Sequence, residues 1–144
     1  MKRIVTSLAL LALGAVSAAA ADDVIAQRKA LMKANGEATK AAVAMLKGQS
    51  PFDLKAVQDG LKNFGDAAGK MPGLYPPDSK TGGETQALPA VWDNKADFDA
   101  RMKKFGADAA AAATAITDEA SFKTNFPGVL KNCSDCHETY RLKK

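Results

Sequence analysis

Four stretches of the chain space their apolar residues in steps of three and four, which places them on one side of an α-helix. The first runs from Asp22 to Lys47. Its main stripe is Val24, Leu31, Asn35, Ala38, Ala42 and Met45, with Ile25, Arg28 and Met32 beside it. Asp22 or Asp23 offers an N-cap and Gly48 a C-terminal stop. The second opens at Pro51, a residue suited to a first helical turn, and carries Leu54, Val57, Leu61, Phe64, Ala68 and Met71. Gly60, Gly65 and Gly69 weaken its propensity and read either as points of close packing or as indifferent surface positions. The third begins between Val91 and Asn94 and ends near Ile116, with Phe98, Met102, Phe105, Ala109 and Ala112 on its stripe. The fourth, capped by Thr117 or Asp118, continues through Arg141. Its stripe is Phe122, Phe126, Val129, Cys133, Cys136 and Tyr140, and Pro127 with Gly128 should interrupt and kink it. Residues 72–89 form a long connection punctuated by proline and glycine. Tyr75 within it is a candidate for packing on the bundle, and Trp92 just beyond reads as a core or helix-entry anchor. With four amphipathic helices and no strand pattern, the expected fold is all-α, an antiparallel up-down four-helix bundle.

The start of the chain changes the picture of where this bundle works. Lys2 and Arg3 precede an apolar run from Ile4 to Val16, followed by small residues from Ser17 to Ala21. That order describes a secretory signal peptide over residues 1–21, cleaved after Ala20 or Ala21. An uncleaved anchor is the alternative, but the run is short for a membrane span. Residues 22–144 then form one domain, expected in the periplasm without stable membrane insertion. Losing Lys2 and Arg3 takes the formal net charge from +4 to +2. No basic stripe interleaved with aromatics is present, so nucleic acid is not an expected partner.

Candidate chemistry concentrates in Cys133-Ser134-Asp135-Cys136-His137. Helical positions i, i+3 and i+4 share a face, so two thiols and one imidazole project together. This is the spacing of c-type haem attachment: two thioethers to the haem vinyl groups and an imidazole to the iron. Three other readings use the same residues. A disulfide across so short a loop adds little stability. A thioredoxin-like pair needs a βαβ setting that the pattern lacks. A zinc site needs a fourth Cys or His, and the chain holds two cysteines and one histidine. The same count permits one haem only and leaves no second imidazole for the sixth iron position.

Methionine is the usual alternative at that position in electron carriers. In an up-down bundle the start of the first helix lies level with the end of the fourth. Met32 is therefore level with His137, whereas Met45 is about 20 Å further along at 1.5 Å per residue. Met71 and Met102 are not excluded by level but sit on core stripes. Met32 is left with two roles, iron ligand or packing residue. Arg28, one turn earlier, is either a bidentate partner for a haem propionate or a solvated arginine. Arg141, four residues after His137, is placed to touch a propionate or the proximal side. Lys131, Lys143 and Lys144 read as a solvated end of the molecule.

A Cys-x-x-Cys-His near the end of a four-helix chain, with arginine four residues after the histidine, resembles the class II cytochromes c. These are the cytochrome c-prime family and its low-spin c-556-type relatives. The resemblance covers residues 22–144 and is most specific at Cys136-His137-Glu138-Thr139-Tyr140-Arg141. It implies one covalent haem, with Arg28 and Met32 standing at the family's first-helix arginine and distal position. Methionine there belongs to the six-coordinate branch, whereas five-coordinate, gas-binding members carry a non-ligating apolar residue. Pro127-Gly128 is less usual in the family's last helix. The expectation is a periplasmic electron carrier with His137 and Met32 on the iron, serving redox partner proteins as a monomer or homodimer. Five-coordinate binding of NO or CO is the second reading. A helical interaction domain with a labile dithiol and no haem is a third. No catalytic residue is expected.

Overall fold

The computed structural model describes residues 12–143. Four long helices follow one another: α1 (Ala12–Leu46), α2 (Leu54–Lys70), α3 (Lys95–Ala115) and α4 (Glu119–Tyr140). They form the expected all-α four-helix bundle, and the described residues contain no strand, only an isolated bridge between Ala87 and Arg141. The expected leader lies in large part outside the described residues. From Ala12 the chain is helical, and α1 runs through Asp22 and Asp23, so neither residue caps it.

Local chemistry sets the other helix ends. Gly48, at φ +67°, turns the chain out of α1, and its amide donates to Met45 O at 3.0 Å. Pro51 precedes α2 instead of opening it. Asp53 is the cap, its carboxylate accepting from the amide of Ala56. The third segment is split: a single turn, Ala90–Asp93, breaks at Asn94 before α3 begins. Asp118 and Ser121 close a reciprocal capping box at the start of α4. The expected interruption at Pro127 and Gly128 is absent, and α4 is helical throughout. Both residues are exposed, so the carbonyl that Pro127 cannot satisfy faces water.

The apolar stripes become the core. Phe64 is fully buried, with its ring 5.4 Å from that of Phe105 and 6.2 Å from Phe126, while Phe122 packs at a tilt against Phe126 at 5.1 Å. These residues join Met45, Val57, Leu61, Ala109, Ile116 and Val129 in one cluster. Leu54 alone on the α2 stripe is exposed, because the first turn of the helix overhangs the core. Of the three α2 glycines, only Gly60 marks close packing: a Cβ there would lie 3.3 Å from that of Ala38 on α1. Gly65 and Gly69 face open space. From α2, Gln58 donates Nε2 to Ala113 O and Ile116 O, filling carbonyls at the end of α3.

A second cluster gathers Met71, Val91, Phe98, Met102, Cys136 and Tyr140 at the other end of the bundle. Here α1 turns a different side inward. Ile25 and Arg28 are buried, while Val24 on the expected main stripe is only half-buried. α2 packs on α1 and α3, and α3 on α4, but α1 and α4 are not in close contact at this end. Replacing Phe64 by alanine removes the ring shared by α2, α3 and α4. It should lower stability by about 3–5 kcal/mol, read from the urea midpoint of unfolding at unchanged denaturant slope.

Candidate cofactor site

Between α1 and α4 lies a cavity of about 1020 Å³, at the upper end of the ~300–1,000 Å³ range of small-molecule sites. α3 and the 72–89 connection close its sides, and α2 contributes no lining residue. All six site residues expected from the sequence reach it: Arg28 and Met32 from α1, Cys133, Cys136 and His137 from α4, and Arg141 just beyond α4. Met102 lines it from α3. Met71 is fully buried away from it, and Met45 sits against a separate small cavity beside Phe126.

On α4 the uninterrupted helix keeps the two sulfurs and the imidazole on one stripe, as the spacing requires. Cys133 and Cys136 are not joined in a disulfide, and burial raises the pKa of each thiol. His137 is half-buried; burial first, and the nearby positive charge of Arg141 second, lower its pKa. A neutral imidazole, the form that binds metal, is thereby favoured. Asp97 on α3 fixes the turn that carries these groups. It accepts from Tyr140 Oη at 2.5 Å and from Arg101 Nε at 2.7 Å, while Arg101 Nη1 donates to Asp135 O at 2.9 Å.

Arg28 departs from both roles that the sequence left open. It is 4% exposed, so it is not a solvated arginine. Nη1 donates to Leu74 O at 3.1 Å and Ser79 Oγ at 3.0 Å, and Nη2 to Ser79 O at 3.1 Å and Thr85 Oγ1 at 3.3 Å. These four bonds use the hydrogens of both terminal nitrogens, leaving only Nε–H for anything else. The bidentate hold on a carboxylate is therefore not on offer in this arrangement. The guanidinium also lies 4.5 Å above the centre of the Tyr75 ring. Tyr75 packs edge-on against Trp92 and Phe98, and Trp92 Nε1 donates to Pro76 O at 3.0 Å, so both aromatics anchor the connection as expected.

The connection is tied to the opposite wall as well. Ala87 and Arg141 form an antiparallel bridge flanked by Leu88 N to Tyr140 O at 2.9 Å and Leu142 N to Gln86 O at 2.8 Å. Arg141 is exposed, and its Nε donates to Gln86 Oε1 at 3.2 Å. Gly83, at φ +49°, passes so close to α1 that a Cβ would stand 2.8 Å from Ile25 Cγ2.

The residues fit a c-type haem. Two thiols and an imidazole on one stripe face a large cavity, a thioether lines the opposite wall, and the helices on its two sides do not pack on each other there. The cytochrome c' family model matches residues 23–141. The chain belongs to the cytochrome c' family. A cytochrome c' of Rhodopseudomonas palustris is 52% identical over 142 residues, spanning 99% of this chain and 97% of the relative. A cytochrome c-556 of Agrobacterium fabrum is 38% identical over 121 residues, 83% of this chain and 82% of the relative. Among solved structures, R. palustris cytochrome c' superposes with a TM-score of 0.82 at 54% identity, covering 85% of this chain and 98% of that one. The structural model of oxidised R. palustris cytochrome c556 gives 0.77 at 29% identity, with the same coverages. The cofactor of this family member is one covalently attached haem c, and its function is that of a cytochrome of the electron-transfer or gas-binding kind.

The sequence alone did not expose the Asp97–Tyr140 pair or the connection's ties to Arg28 and Arg141. The two tyrosines of the chain carry a direct test of this environment. Burial, partly offset by Arg28, pushes Tyr75 up to about 12, and burial with the Asp97 carboxylate pushes Tyr140 up to about 12. In the unfolded chain a phenol titrates near ~10. Their contribution to stability is therefore complete below that pH and is lost as pH rises through about 12. Ultraviolet titration of the folded protein should show no phenolate until the pH nears 12, and ordinary titration after denaturation. A phenolate band appearing near ~10 in the folded state would contradict the burial of these rings.

Proposed function

We propose that this protein is a periplasmic electron carrier whose iron is held by His137 and Met32, with the porphyrin fixed by thioethers at Cys133 and Cys136. The placement of the Met32 thioether on the cavity wall opposite the His137 stripe carries this reading. The haem supplies one-electron chemistry between ferrous and ferric iron. The chain's part would be to hold the iron through His137 and Met32, exclude water and keep those two side chains in place. Helix α1 brings Met32, helix α4 brings the imidazole, and the Asp97, Tyr140 and Arg101 contacts hold the turn between Cys133 and Tyr140 in place. Arg141, exposed at the cavity edge, is the residue suited to a propionate. Arg28 faces the rim as a fixed positive charge, with Nε–H as its available donor.

Export is supported by the basic start, apolar run and small residues of positions 1–21, and by a family match that begins at residue 23. Among the described residues no helix is long and apolar enough to cross a membrane. The partners are redox proteins that dock at the haem edge, with the chain acting as a monomer or homodimer.

Five-coordinate binding of NO or CO is the second reading, favoured by the cytochrome c' name of the 52% identical relative. The visible spectrum of the purified holoprotein in both oxidation states separates the two. Low-spin bands, with a weak methionine–ferric band at the red end, are expected. Met32→Ala should convert them to high-spin bands and open the ferrous protein to CO. An unchanged spectrum removes Met32 from the iron.

A further inference from the structure

Both tyrosines of the chain line the cavity, and their hydroxyls meet different partners. Tyr75 Oη donates to the thioether of Met71 at 3.9 Å, a weak acceptor. Tyr140 Oη donates to Asp97 Oδ2 at 2.5 Å. Tyr140 is 3% exposed and lies one helical turn past Cys136 and His137, so its ring stands beside the groups that would hold the haem. The Asp97 side chain is 40% exposed, and Arg101 donates to the same oxygen at 2.7 Å. The Tyr140 hydroxyl and Arg101 keep this acid ionised. It is a carboxylate with one side on a buried phenol and the other on water.

This pairing matters for electron loss. A phenol that gives up an electron while keeping its proton becomes a far stronger acid than any carboxylic acid. Ready oxidation therefore requires a base within hydrogen-bond reach. Tyr140 has one. Tyr75 has only a thioether, and the Arg28 guanidinium 4.5 Å above its ring opposes positive charge there. Trp92 can lose an electron without a base, but it is outside the cavity lining and lies under two cations, Arg28 at 5.7 Å and Lys80 at 5.9 Å. Arg101 stands 5.5 Å from the Tyr140 ring. Once the proton has moved to Asp97, however, that ring is neutral and the cation costs it little.

We propose that Tyr140, with Asp97 as its base, is a second one-electron donor beside the haem, used when the iron meets a hydroperoxide. Reducing a hydroperoxide to alcohol and water takes two electrons, and ferrous haem gives one. As the O–O bond breaks, the iron supplies one electron and becomes ferric, and Tyr140 supplies the other. The phenolic proton passes to Asp97 Oδ2 and from there to solvent, which returns two protons to the separating oxygens. The products are ferric haem, alcohol, water and a neutral tyrosyl radical, and no alkoxyl radical is released. The proposal rests on haem filling the cavity, and not on Met32 binding the iron.

For the test, ferrous holoprotein is mixed with hydrogen peroxide, frozen at successive times and read by electron paramagnetic resonance. Met32→Ala, which opens the sixth iron position, is the working background. A tyrosyl radical should appear as the iron becomes ferric, with its spectrum narrowed when the chain is made with ring-deuterated tyrosine. Tyr140→Phe, which removes one hydroxyl and keeps the ring, should abolish it, whereas Tyr75→Phe should retain it. Asp97→Asn, unable to take the proton, should lower its yield. In heavy water an exchangeable deuteron coupled to the radical should mark the proton held at Asp97. That coupling identifies Tyr140 even if Tyr140→Phe folds poorly, since Tyr75 has no such partner. A preparation without a haem absorption band sinks the cofactor reading, and this proposal with it. Haem that ignores peroxide, that turns ferric with no tyrosyl radical, or whose radical survives Tyr140→Phe overturns the Tyr140 assignment alone.

Discussion

Two helices that must face each other without touching set the terms for this molecule. α1 and α4 flank the cavity and do not pack on each other at that end. Their spacing is held from outside. α2 grips α1 and α3 through Gly60 against Ala38 and Gly106 against Ala68, and α3 grips α4 through the shared rings of Phe105, Phe64 and Phe126. At the open end the connection between α2 and α3 spans the gap. It is bonded to α1 by the guanidinium of Arg28 and to the end of α4 by the Ala87–Arg141 bridge.

The polar groups near the cavity work within the same frame. Arg28 is a charge taken almost wholly out of water, tolerable because four oxygens and an aromatic face replace its hydration. Asp97 combines a phenol and a guanidinium, and these two donors hold its carboxyl below the usual carboxylate range. Its bonds join α3 to the last turn of α4, adjacent to Cys136 and His137. Hydrogen bonds from neighbouring elements thus hold the turn that carries Cys136 and His137, much as outer partners orient ligands in metal sites.

Much of this was legible in the residue order. The apolar stripes of α2, α3 and α4 became buried faces almost residue for residue, and the Cys133, Cys136, His137 grouping followed from helical geometry alone. Level arguments in an up-down bundle separated Met32 from Met45 correctly by position. Failures arose where tertiary context overrode local rules. Pro127 was read as a break, yet with its gap in the ladder turned to water the helix continues. Asn35 falls on the main stripe of α1, yet it is a buried polar side chain whose Oδ1 has no hydrogen-bond partner among the described residues. The role of Arg28 depended on Ser79 and Thr85, fifty or more residues away, a distance over which spacing in a single chain carries no signal. Residues 72–89 looked irregular because their order comes from side chains on other elements.

The exclusion of α2 from the cavity wall carries a further implication. That helix is a strut: it bears the mechanical tasks of the fold while standing clear of the prosthetic group. Drift in its sequence, provided Gly60 stays small and its buried stripe keeps its volume, can reset the melting behaviour of the bundle without retuning the iron. Relatives with quite different α2 residues could thus share one redox chemistry, and thermal hardening could be engineered there as an independent variable.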